Sequence, residues 1–139
     1  MKLSVIIPVY NEVNNIREIV KRVQATKLAQ EIIIVDDAST DGTRELLGKV
    51  AGTRNVRVLL HEKNQGKGAS VVTGMNAAQG AVLLIQDADL EYDPRDYPAL
   101  LKPIEEDRAD VVYGSRFLGA PHRVAMFWHQ VANQLLTLM

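Results

Sequence analysis

The chain has 139 residues, 47% of them hydrophobic, which suits one domain with a packed core and is too apolar for a disordered chain. Lysine and arginine (16) nearly balance aspartate and glutamate (17), so no basic field points to nucleic acid as a partner. With no cysteine, disulfides, thiolate nucleophiles and zinc–thiolate centres are excluded, which fits a reducing cytoplasm.

In chain order, Leu3–Ile7 reads as a buried strand, and Pro8 cuts this apolar run too short for a signal peptide. Val13, Ile16, Ile19, Val20 and Val23 then share one helix face, with Asn11 placed to cap the start. Glu31–Val35 is a second strand, and Thr43–Val50 a short helix after an Asp41-Gly42 turn. Val56–Leu60 is a third strand, followed by a helix over Gly68–Ala78. Ala81–Ile85 is a fourth strand. A helix over Asp96–Glu106 follows, and Pro103 should kink or end it. Asp110–Tyr113 is a fifth strand. In Arg123–Met139, Val124, Phe127, Trp128, Val131, Leu135 and Leu138 fall at helical spacing. That segment predicts an amphipathic helix, suited to self-association or to peripheral membrane contact. The chain stops on an apolar run without a cap, as a cut through a longer protein would leave it. No stretch reaches the ~20 apolar residues that span a bilayer.

Short apolar strands alternating with helices mean parallel pairing, and such sheets bind ligands beyond the carboxyl ends of their strands. The chemically unusual residues fall there. Asp87-Ala88-Asp89 follows the fourth strand, and paired carboxylates suit a hard divalent cation that shares its oxygen ligands with substrate phosphates. Glu91 can add a third carboxylate. Asp36 and Asp37 follow the second strand, and Asp37 is suited to accept from a base N–H or a ribose hydroxyl. After the first strand, Tyr10 can stack on a base and Glu12 can accept a hydrogen bond from the nucleoside. Lys67 sits in a glycine-bearing loop that leads into a helix, and Arg116 follows Gly114-Ser115 after the fifth strand; both suit a diphosphate. His61, His122 and His129 are too scattered to suggest a site by spacing alone.

Taken together, Pro-Val-Tyr-Asn-Glu, Val-Asp-Asp-Ala-Ser-Thr-Asp-Gly-Thr, Asn-x-Gly-Lys-Gly, Asp-Ala-Asp-Leu-Glu and Tyr-Gly-Ser-Arg-Phe resemble, in this order, the family 2 inverting glycosyltransferases. Among these the chain is most similar to dolichyl- and polyprenyl-phosphate mannosyl- and glucosyltransferases. The resemblance implies a GT-A fold, an α/β architecture with a mostly parallel sheet and flanking helices. Residues 1–121 would form the nucleotide-sugar-binding domain, and 122–139 the helix that begins an acceptor half. Pro8, Tyr10, Glu12, Val35 and Asp37 would contact the nucleoside. Asp87, Ala88 and Asp89 would hold the diphosphate with Mg²⁺ or Mn²⁺, joined by Glu91. Asp89 and Arg116 would serve catalysis. The implied reaction moves a hexose from GDP-mannose or UDP-glucose to a polyprenyl phosphate at the cytoplasmic face of a membrane. A module that binds the nucleotide sugar without turnover is the second reading. A phosphatase of the haloacid dehalogenase type also places Asp-x-Asp after a buried strand, but normally after its first strand.

Overall fold

The computed structural model describes residues 2–113 in full and the backbone of residues 126–129. The strands are β1 (Leu3–Val9), β2 (Ala29–Asp36), β3 (Val56–Leu60), β4 (Val82–Ile85), β5 (Val111–Tyr113) and β6 (Met126–His129). The helices are α1 (Ile16–Ala25), α2 (Thr43–Val50), α3 (Lys67–Ala77) and α4 (Tyr97–Glu105), the last preceded by a 3-10 turn at Pro94–Asp96. The strands form one sheet in the order β3-β2-β1-β4-β6-β5. β1 runs parallel to β2 and β4, and β2 parallel to β3, whereas β6 is antiparallel to β4 and β5.

β1 is buried along its whole length because helices cover both faces of the sheet. Alternate residues divide its side chains between two layers. Leu3, Val5, Ile7 and Val9 share a core with residues of α1, α2 and α4, such as Ile19, Leu47 and Leu101. Ile6 faces the other way and packs with Leu83 and with Met75 of α3. The apolar stripe on α1 lies as its spacing predicts, with Ile16, Ile19, Val20 and Val23 buried.

At the amino ends of the strands, Glu31 ties three segments together. Its Oε1 accepts from the Ser4 hydroxyl at 2.6 Å and from the Gln79 N–H at 2.6 Å. The Gly80 N–H in turn donates to Ser4 Oγ at 2.8 Å. A Cβ on Gly80 would lie 2.5 Å from Ser4 Oγ and 2.9 Å from two backbone atoms, Lys2 O and Ser4 N. Backbone of a central strand cannot yield cheaply. Gly80→Ala is therefore expected to lower unfolding stability by about 2 kcal/mol, read from urea titration. An unchanged midpoint would contradict this close approach.

Two expectations are corrected. Asn11 does not cap α1. It adopts φ 52°, accepts from the Thr40 N–H at 2.8 Å and donates its own N–H to Ser39 Oγ at 2.8 Å. Asn11 thus joins the loops after β1 and β2, and α1 begins only at Ile16. Met126–His129 is a strand and not part of a helix. Apolar residues at helical spacing also suit a short aromatic strand. β4 decides between the two, because its edge away from β1 needs partners for its N–H and C=O groups, and β6 supplies them. The remainder of 122–139, and with it the expected self-association helix, lies outside the described residues. Among the described residues, no helix is long and apolar enough to cross a membrane.

Candidate functional site

The strand order reverses at β1, with β2 and β3 laid to one side and β4 to the other. The crossovers diverge at that point and leave a crevice beyond the carboxyl ends of the strands. A cleft of about 220 Å³ lies there, and its described walls are Pro8, Val9, Tyr10, Glu12, Asp37, Lys67, Ser70, Asp87, Ala88 and Asp89. The cleft thus brings together most of the residues singled out from sequence. Val35 is not among them. It is fully buried one residue short of the end of β2, paired with Pro8 inside the sheet. Arg116 lies outside the described residues.

One end of the cleft is set by the loops after β1 and β2. Tyr10 is 49% exposed, so its ring is available to stack. The Glu12 N–H donates to Thr43 Oγ1 at 3.0 Å, and Glu12 Oε2 accepts from Asn15 Nδ2 at 3.1 Å. Asp36 lies behind this wall and is fully buried. Its Oδ2 accepts from the Ser39 N–H at 3.1 Å and from Arg44 Nε at 2.6 Å, while Oδ1 has no hydrogen-bond partner among the described residues.

Asp37 is 3% exposed and holds the loop after β3. Oδ1 accepts from the Gln65 N–H at 2.8 Å and lies 2.9 Å from His61 Nδ1; Oδ2 accepts from the Gly66 N–H at 2.8 Å. His61 is fixed from its other side, with Nε2 2.9 Å from Thr73 Oγ1. Gly66 has φ 97°, a left-handed value that glycine takes without a Cβ penalty, and α3 begins at the next residue, Lys67. Asp37 therefore sets the approach of Lys67 and the α3 N-terminus to the cleft. Burial by itself would raise the pKa of Asp37. The hydrogen bond with His61, the two backbone N–H donors and the charge of His61 outweigh it and hold the pKa below the ordinary 3.8.

Asp41 behaves alike. Burial raises its pKa, but the Thr43 hydroxyl and N–H and the Val13 N–H lower it further than that. Both carboxylates have folded pKa values below their unfolded ones. Their contribution to stability is thus present above 3.8 and lost as pH falls through the folded values. The free energy of unfolding is expected to be lower at about pH 3 than at about pH 6, measured by urea titration at both. Equal values would show that neither carboxylate gains its hydrogen bonds on folding.

The other end of the cleft is acidic. Asp87 and Asp89 both line it, and Lys67 Nζ forms an ion pair with Asp87 Oδ1. The lysine side chain in that pair is 63% exposed, so the pair contributes little stability and both groups can be exchanged onto a ligand. Glu91 does not join them, and among the described residues no group of three carboxylate or histidine side chains is placed to hold one cation. β4 ends at Ile85, so the motif is not extended. Leu90 takes φ 67°, and the Glu91 N–H turns back onto Asp89 Oδ1 at 3.1 Å. With the strand ended at Ile85 and Leu90 left-handed, a spacing of two residues does not bring Glu91 beside the pair. Two carboxylates still fit a hard cation, because Mg²⁺ and similar ions commonly take one or two from protein and the rest from substrate phosphates and water.

Three further residues shape the site without having been singled out as site residues. His61 follows a strand end and could have been found by that position. Gln86 is 1% exposed, and its Nε2 donates to Asp87 O at 3.1 Å and Tyr92 O at 3.0 Å. Its Oε1 accepts from the Tyr97 hydroxyl at 2.7 Å. No periodicity marks a glutamine at a strand end or the tyrosine that opens α4.

Sheet order and cleft define an α/β domain whose crevice beyond the strand ends holds an exposed tyrosine and a charged pair. The chain belongs to glycosyl transferase family 2, whose pattern it matches over residues 4–137. It is 37% identical over 120 residues to a dolichol-phosphate mannosyltransferase of Pyrococcus furiosus, covering 85% of this chain and 34% of that one. Among solved structures it is similar to S. aureus TarS 1-349 in complex with UDP-GlcNAc (29% identity, TM-score 0.68, 87% of this chain and 37% of that one). It is also similar to glucosyl-3-phosphoglycerate synthase from Mycobacterium tuberculosis in complex with Mn²⁺, UDP and phosphoglyceric acid (26% identity, TM-score 0.62, 74% and 38%). These likenesses carry the GT-A fold expected from sequence. The chain spans about a third of the length of the relatives it matches. Membership in the family removes the phosphatase alternative.

Proposed function

We propose that this chain is the donor-binding part of an inverting glycosyltransferase that moves a hexose, mannose in first place, from a nucleoside diphosphate sugar to a polyprenyl or dolichyl phosphate. The observation that carries it is the two-ended cleft: Tyr10, Glu12 and Asp37 at one end, and Lys67, Asp87 and Asp89 at the other. A nucleoside needs a stacking surface and hydrogen-bond acceptors, and a diphosphate needs cationic partners. Asp87 and Asp89 would hold Mg²⁺ or Mn²⁺, which supplies Lewis-acid neutralisation of the departing diphosphate. The Lys67 ammonium, released from Asp87, would meet the diphosphate directly, and the Asp37 clamp would keep it in reach. An acceptor phosphate monoester has a second pKa of roughly 6, so it is already largely anionic and needs no strong base. Its oxygen would bond to the anomeric carbon as the bond to the diphosphate breaks on the opposite face, the nucleoside diphosphate leaving with the electron pair. A lipid-linked acceptor would bring the protein to the cytoplasmic face of a membrane.

The experiment is calorimetry with a panel of nucleoside diphosphate sugars, GDP-mannose and UDP-glucose first, with and without Mn²⁺. Binding of at least one, strengthened by Mn²⁺, is the expected result; no binding of any sinks the proposal. A second reading, donor binding without turnover, is favoured by one observation. Among the described residues, Lys67 is the only cation in the cleft walls, which leaves nothing there for an acceptor phosphate. Transfer of labelled hexose to polyprenyl phosphate decides between them.

A further inference from the structure

The charged end of the cleft is made by a loop that should not hold its shape by itself. Residues 86–93 lie between β4 and the 3-10 turn and belong to no helix or strand. Asp89 is exposed, and the left-handed Leu90 reverses the chain directly after it. Beneath the loop sits the buried pair of Gln86 and Tyr97. Gln86 spends its whole side-chain amide on it: both donated bonds go to loop carbonyls, Asp87 O and Tyr92 O, and its oxygen accepts from Tyr97. The two carbonyls and the hydroxyl fix the orientation of the amide, since a flipped amide would set its oxygen against two carbonyl oxygens. Tyr97 is 1% exposed. Burial, and then the charge of Asp93, raise its phenol well above the ordinary 10.0, so the hydroxyl remains a donor at neutral pH. The Gln86 N–H bonds to Ile6 O at 2.9 Å, which anchors the whole arrangement to β1.

We propose that Gln86 and Tyr97 are positioning residues for the diphosphate end of the site. Their buried clasp closes the 87–92 loop at both ends and so fixes the spacing at which Asp87 and Asp89 face the cleft. Neither side chain lines the cleft, so their effect passes through the loop backbone. Buried partners behind ligating carboxylates commonly set ligand affinity in this way. The inference rests on the donor-site reading above, and its test separates the two.

Tyr97→Phe removes one hydroxyl and keeps the ring; Gln86→Met keeps the length and removes the amide. The probes are UDP and GDP with and without Mn²⁺, uridine and guanosine, and Mn²⁺ alone followed by electron paramagnetic resonance. In both variants the gain in diphosphate affinity conferred by Mn²⁺ is expected to fall by about 10-fold or more, with nucleoside affinity unchanged and cooperative unfolding retained. A retained Mn²⁺ gain in folded Tyr97→Phe overturns the proposal. So does an equal loss of nucleoside and diphosphate binding, which would mark a merely structural pair. If the parent chain shows no nucleoside diphosphate binding at all, the donor-site reading fails. The clasp is then judged on Mn²⁺ alone: weaker Mn²⁺ binding in Tyr97→Phe supports it, and parental Mn²⁺ binding, including none in either protein, overturns it.

Discussion

Asp89→Ala is expected to weaken Mn²⁺-dependent binding of nucleoside diphosphate by roughly 100-fold, about 2.7 kcal/mol, while the fold persists. Asp87 and Asp89 both line the charged end of the cleft, and no third carboxylate converges with them among the described residues. Removing one of two carboxylates from a hard-cation site therefore removes half of the anionic ligation that the described residues offer there. The structural cost is small, because among the described residues the Asp89 side chain accepts one exposed turn contact, from the Glu91 N–H. Asp89→Asn keeps that turn acceptor and should lose the cation nearly as fully. Calorimetry of parent and variant, with Mn²⁺ and with chelator, is the measurement. Equal affinities in all four conditions would take the cation away from Asp89.

Asp37→Ala should cost about 1–3 kcal/mol of stability, because it leaves the buried His61 imidazole and two backbone N–H groups without their acceptor. The carboxylate joins two backbone N–H groups and an imidazole across 24 to 29 residues of sequence, so nothing local can replace it. Urea unfolding measures the loss; a change within ordinary surface-substitution range would mean that the 64–67 loop stands without it. The same variant reports on ligand. Releasing the loop disturbs Lys67 for both ligands, but GDP or UDP also loses the Asp37 carboxylate as a nucleoside acceptor, so its affinity should fall further than that of inorganic pyrophosphate. A loss equal for both ligands would move Asp37 out of the nucleoside end and leave it a loop clamp alone.

Most of the sheet was legible because its signals are local. Apolar β-branched runs such as Glu31–Val35 have few other uses, and the rule that ligands sit beyond parallel strand ends needs only strand positions. That rule brings Tyr10, Asp37, Lys67, Asp87 and Asp89 to one place, and all five line the cleft. Asn11, Glu91 and Met126–His129 depart from their local pattern for a shared reason: each obeys a partner distant in sequence or a backbone reversal, namely the Thr40 N–H, the left-handed Leu90 and the edge of β4.

By itself, the sequence determined the α/β class, the order of elements, the core-facing stripe of α1 and the family's residue types at the strand ends. These depend on side-chain periodicity and on chemistry carried by single residues. Only the tertiary structure decided which carboxylates face the cleft and which are spent inside. Asp87 and Asp89 line the cleft, Asp37 lines it while clamping a loop, Asp36 is buried against Arg44, and Glu91 is not in the lining. It also disclosed Gln86 and Tyr97 beneath the acidic loop. The reason is physical: a carboxylate or an amide has the same composition whether it meets a ligand or a backbone N–H. What distinguishes the two is which donors the folded chain brings within about 3 Å.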